Sequence, residues 1–113
     1  MSKDITRNKK VKTRDKYTGG EKYILRLFVA GVLPYSIRAI ENINAICEQY
    51  LSGNFELEII DIYQQPDLAL AEDIIAVPIL IKKFPLPEIR LIGDMSDIEE
   101  VLKGLQLFTL IRF

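Results

Sequence analysis

Apolar and polar positions alternate between two periods along most of the chain, and the changes of period mark its elements. "YILRLFVA", from Tyr23, is almost continuously apolar, rich in β-branched and aromatic residues, with Arg26 as its one charge; it ends at Gly31 and reads as a buried strand. Pro34 suits the first turn of a helix. Ile37, Ile40, Ile43, Ile46, Cys47, Tyr50 and Leu51 then recur at three- and four-residue steps until Ser52-Gly53-Asn54 breaks the pattern. In "FELEIIDIY", Phe55, Leu57 and Ile59 alternate with Glu56 and Glu58 before the run turns fully apolar, and "QQPD" closes it. Strand, helix and strand of this kind predict a parallel pair joined by a right-handed crossover.

The second half follows a looser pattern. Asp67 is expected to cap a short helix through Leu68, Leu70, Ala71, Ile74 and Ile75. "VPILIKK" and "IRLIG" read as strands around the turn "FPLPE", which holds Pro85 and Pro87. Ser96 and Glu99 have capping-box spacing and open a helix with Ile98, Val101, Leu102 and Leu105 inward. The order β-α-β-α-β-β-α, with a parallel first pair and a final hairpin, is that of a thioredoxin-like α/β fold. In that fold the redox cysteines occupy the turn after the first strand, here Gly31 to Ser36, where there is no sulfur. Thiol-disulfide exchange needs an attacking thiolate and a second, resolving sulfur, so this turn lacks its chemistry. Pro78, in "AVP", stands where the fold commonly places a cis-proline, although a proline opening a strand has an ordinary backbone use as well.

Composition then removes whole classes of function. A chain of 113 residues, about half apolar, can bury one core. No apolar run approaches the ~18 to 20 residues of a membrane span, so a cytoplasmic location is expected. The absence of histidine excludes a His-based triad and argues against zinc, and the single Cys47 cannot form an internal disulfide. Cys47 lies on a helical apolar stripe and reads as a buried structural thiol. Asp61 and Asp94 fit turn and capping roles without an ion, and no phosphate-binding glycine loop occurs, so neither metal nor cofactor is expected.

Charge divides the chain. Residues 1–22 carry eight basic and three acidic side chains, a net of +5, whereas the other 91 carry seven basic and thirteen acidic, a net of −6. Gly19-Gly20 separates a basic arm, residues 1–22, from the domain at 23–113. With Tyr17 as the arm's only aromatic residue it lacks base-stacking groups, so a solvated leader is favoured over a nucleic-acid contact.

"LRLFVAGVLPYSIRAIENIN", "LEIIDIYQQPDLALAEDIIAVPILIKKFPLPEIRLIGDMSD" and "VLKGL" resemble, in order, the motifs of the circadian clock protein family KaiB, from about Tyr23 to Phe108. The resemblance implies binding rather than catalysis. Members rest as oligomers, commonly tetramers, in a ground-state fold (βαββααβ) and convert to a thioredoxin-like monomer. That monomer docks on the N-terminal ATPase ring of the hexameric autokinase KaiC, recruits KaiA and displaces a sensor histidine kinase. It also makes Arg38, Lys82 and Arg90 candidate partner contacts, and Gly104, Gln106, Pro78, Pro85 and Pro87 candidate determinants of the change of fold. Gln106 departs from the family, which has an acidic residue there, and the family's acidic tail is missing. A thioredoxin-like interaction module in stress or two-component signalling, without a clock role, is the alternative.

The C-terminal pattern is itself divided. Leu105, Leu107, Thr109, Ile111 and Phe113 fit one face of a strand, while Val101, Leu102, Leu105 and Phe108 fit a helical stripe, with Gly104 costing a helix about 1 kcal/mol relative to Ala. Both a bistable element and a helix with its apolar end buried in a dimer satisfy this pattern. Either way the exposed apolar surface predicts a dimer or tetramer at rest.

Overall fold

The computed structural model describes residues 22–107. The basic arm up to residue 21 and the divided segment from Phe108 onward lie outside the described residues. The elements are β1 (Tyr23–Val29), α1 (Pro34–Tyr50), β2 (Phe55–Asp61), α2 (Pro66–Ala71), β3 (Ile79–Phe84), β4 (Ile89–Ile92) and α3 (Ile98–Gly104). Of the two chain orders raised by the sequence, this is the thioredoxin-like βαβαββα.

The sheet runs β2-β1-β3-β4, with β1 parallel to β2 and antiparallel to β3, and β3 antiparallel to β4. Because β1 is interior and largely covered on both faces, its sequence is apolar at every position but Arg26. On one face Leu25, Leu27 and Leu80 pack with Ala39, Ile43 and Cys47 of α1 and Val101, Leu102 and Leu105 at α3. On the other, Phe28, Ile60, Ile79 and Ile81 meet the partly buried Leu68, Ala69, Ile74 and Val77 of the α2 region. β2 lies at the sheet edge, and Ile59 remains exposed there.

Several local expectations shift. Asp67 is not the α2 cap: Gln65 holds that position without a side-chain hydrogen bond and Pro66 follows it. Proline has no N–H to satisfy and its fixed φ already suits the first helical position. At α3 the cap is Asp97, whose Oδ1 accepts the Glu100 N–H at 3.2 Å. Ser96 instead donates its own N–H to Asp94 Oδ1 at 3.1 Å, a turn that moves the helix start one residue on. Ile37, Leu70, Ile75 and Ile98, expected inside, are exposed. The far end of α3 closes in a Schellman arrangement, with Leu107 N–H donating to Leu102 O at 2.7 Å and Gln106 N–H to Lys103 O at 3.0 Å. Gln106 takes φ +63° there, a position usually given to Gly or Asn. The peptide bonds preceding Pro78, Pro85 and Pro87 are cis.

Candidate functional site

Phe28 is in register with both Ile60 and Ile79, so the loops after β1 and β2 and the approach to β3 meet at one end of the sheet. This is where a thioredoxin-like protein keeps its reactive turn, and here three side-chain hydrogen bonds shape it. The Ala30 N–H donates to the buried Ser36 Oγ at 2.9 Å. Asp61 Oδ1 accepts the N–H of Gly31 at 3.2 Å and of Tyr63 at 2.9 Å, joining the two loops. Gly31 has φ +57°, and a Cβ there would sit 3.6 Å from the Tyr63 ring, so the glycine serves the turn more than the spacing.

What this clamped end presents is apolar. Val32 is 85% exposed, Tyr63 71% and Ile75 93%, with Leu33 and Tyr35 also outward. Grouped large apolar side chains on a surface mark a contact site. Cys47, the one sulfur able to act as a nucleophile, is buried in the core below α1, and that burial, helped by Glu48, pushes its thiol up to about 12. A disulfide-exchange dye should therefore leave the native protein unmodified at pH 8 and react once on unfolding; rapid native labelling would contradict the burial. Among the described residues no group of His, Cys, Asp or Glu is arranged to hold a metal ion, and no helix is long and apolar enough to cross a membrane.

The three basic residues singled out from the sequence do not converge. Arg38 Nε donates to Asp94 Oδ2 at 2.9 Å, and its guanidinium lies 5.1 Å from the Tyr35 ring centroid. Asn42 Nδ2 donates to the Asp94 carbonyl at 2.9 Å, so α1 is pinned to the turn before α3 at two points. Hydrogen bonds from Ser96 and then Arg38 hold the Asp94 carboxyl below the usual range. Arg90 lies on the opposite sheet face, paired with Glu72 and Glu88.

Lys82 is not a surface charge in this fold, contrary to the expectation that it offers one. It is 0% exposed, and its Nζ donates to Gln106 Oε1 at 2.8 Å and lies 6.0 Å from the Tyr23 ring centroid. Tyr23 Oη in turn donates to the Leu105 carbonyl at 3.0 Å. Strand parity accounts for this: Lys82 shares the side of Leu80 beneath α1 and α3, while Lys83 shares the other side with Ile81. The pair Lys82-Lys83 thus carried a readable signal that one of the two turns inward. Glu72, which draws Arg26, Lys83 and Arg90 together, had no such local signal.

Gly104 closes α3 directly over β4, where an added Cβ would come within 2.6 Å of Leu91. Pro78 opens the approach to β3, and Pro85 and Pro87 lie in the β3–β4 connection.

Known proteins agree with the fold. The KaiB domain family matches residues 26–107. Over 85 residues, 75% of this chain, the chain is 46% identical to the circadian clock oscillator protein KaiB of Cyanothece sp. and 47% identical to that of Synechococcus elongatus, covering 81% and 83% of those proteins. In shape it is similar to the N-terminal domain of Synechococcus elongatus SasA, with TM-score 0.64 at 17% identity over 99% of this chain and 98% of that one. Mitochondrial thioredoxin 3 of Saccharomyces cerevisiae gives TM-score 0.60 at 16% identity over 81% and 86%. The thioredoxin likeness is one of fold alone, whereas the sequence match runs through nearly every element from β1 to α3: the chain belongs to the KaiB family.

Proposed function

We propose that this protein is a non-enzymatic, cytoplasmic KaiB-type clock regulator that docks on the N-terminal ATPase ring of a KaiC-like hexamer and modulates its phosphorylation cycle. The carrying observation is the family match across residues 26–107. The apolar sheet end supports a binding role, because it displays Val32, Leu33, Tyr35 and Tyr63 around a turn without redox sulfur. In this reading the thioredoxin-like form is the docking form, KaiA or a sensor histidine kinase is the further partner, and a dimer or tetramer in the ground-state fold is the resting form. Gly104, Gln106, Pro78, Pro85 and Pro87 belong to the segment that changes. Arg38 and Arg90 are the outward contacts, and Lys82 acts from within by holding the end of α3.

The test is size-exclusion chromatography of the protein with its host's KaiC, with ATP, over hours. A slowly appearing complex is expected, as for a minor binding-competent state drawn out of a resting oligomer. Val32→Glu should weaken that complex by at least about tenfold while leaving the melting temperature unchanged, since it places a charge in an apolar contact. No complex in any phosphorylation state would overturn the assignment. The fold likeness to the SasA N-terminal domain and the departure at Gln106 favour one second reading, an interaction module of two-component signalling. Recovery of a kinase without KaiC in a pull-down would select it.

A further inference from the structure

Three cations from three strands converge on one carboxylate. Glu72 follows the last residue of α2, and its side chain is only 15% exposed. Its Oε2 lies 2.9 Å from Lys83 Nζ of β3 and 3.3 Å from Arg26 Nη1 of β1, and its Oε1 lies 3.0 Å from Arg90 Nη2 of β4. Arg90 Nη1 also donates to the Glu72 backbone carbonyl at 2.7 Å, satisfying a group at the helix end that would otherwise need water. The Lys83 ammonium is held above its ordinary range, chiefly by its hydrogen bond to Glu72.

The helix so held has little else of its own. α2 is six residues long, too short to persist alone, and none of its residues is fully buried. Beneath it lie Phe28, Ile60, Ile79 and Ile81, which its region covers with partly buried side chains. Without the Glu72 carboxylate, Arg26, Lys83 and Arg90 would face one another with the more exposed Glu58 and Glu88 as the remaining anions of the cluster. Loss of that one charge therefore removes the ion pairs that tie the end of α2 to β1, β3 and β4.

We infer that Glu72 is an electrostatic latch: residues 66–75 open from the sheet as one local unit, at lower cost than global unfolding, and ionic strength sets how often they do. The latch is a property of this fold and does not depend on which partner the protein serves. Opening uncovers the apolar face of Phe28, Ile60, Ile79 and Ile81 and loosens the chain entering Pro78, while β1, α1 and β2 stay in place.

Hydrogen exchange followed by mass spectrometry on the full chain tests this, since local opening and global unfolding protect different segments to different degrees. Glu72→Gln should speed exchange in residues 66–75 about tenfold and leave β1 and α1 at the wild-type rate. Sodium chloride raised from about 0.05 M to about 1 M, which shortens the screening length to ~3 Å, should speed the same segment in the wild type and change the variant little. Equal acceleration in every segment, or an unchanged 66–75 segment, would overturn the latch. Should Glu72→Gln fail to fold, the wild-type salt series decides: 66–75 exchange indifferent to salt refutes it, and a rise confined to that segment upholds it.

Discussion

Lys82→Ala should destabilise the folded protein by about 3 kcal/mol, read as a lower urea midpoint at an unchanged slope. The expectation comes from burial. The Lys82 stem fills core space beside Leu80, on the sheet face covered by α1 and α3, and truncating a long buried side chain to Ala typically costs ~2 to 5 kcal/mol. The substitution also removes the Lys82 donor 2.8 Å from Gln106 Oε1, but Gln106 is itself exposed, so water can replace that partner at little cost. Lys82→Met isolates the volume term. It keeps most of the volume and relieves the desolvation of an ammonium, so its effect should stay within about 1.5 kcal/mol of the wild type. A mild Lys82→Ala would mean that the buried stem contributes little, and Lys82 would have to be assigned to the surface after all.

The second large effect is at Gly104, where helix propensity and packing oppose each other. Glycine in a helix costs about 1 kcal/mol relative to alanine, so Gly104→Ala would stabilise an isolated α3. In the folded protein the new Cβ would lie 2.6 and 2.7 Å from the two Leu91 methyl carbons and 3.0 Å from Leu91 Cγ. Rotating the methyls away cannot relieve the Cγ contact, and Leu91 is itself packed against the core. Overpacking of this kind costs ~1 to 3 kcal/mol, which outweighs the propensity gain. Gly104→Ala should therefore destabilise by about 1 kcal/mol, and Gly104→Val by about 2 to 3 kcal/mol, because a branched side chain adds bulk at the same contact. In a Leu91→Ala background the sign reverses: Gly104→Ala should stabilise by up to about 1 kcal/mol. The double-mutant cycle thus predicts a coupling of about 2 kcal/mol, and additive effects would show that Leu91 is not what keeps position 104 a glycine.

Much of the architecture was legible because it rests on local periodicity. The apolar run of β1, interrupted only by Arg26, signalled a buried strand, and the three- and four-residue steps of α1 signalled its buried stripe. Errors gathered where a neighbour outside the motif took a hydrogen-bonding group. Ser96 resembles a cap in sequence, but Asp94 captures its N–H and hands the cap to Asp97. Exposed Ile37, Ile75 and Ile98 fit helical stripes equally well on paper, yet each lies where no other layer covers it.

By itself, then, the sequence determined the order of strands and helices, the absence of a redox pair in the turn after β1, and the family. The first two follow from residue types and from spacings of two to four positions, and the family from long motifs that the chain shares with it in order. Only the tertiary structure decided that Lys82 is inside while Lys83 meets Glu72, that Arg38 and Arg90 occupy different faces, and that Gly104 lies against Leu91. Parity places Lys82 and Lys83 on opposite sides of β3, but which side is closed depends on where α1 and α3 pack. The Glu72 cluster likewise joins partners 46, 11 and 18 positions away. Charges so far apart along the chain become neighbours only when the sheet sets three strands side by side, and no local pattern encodes that distance.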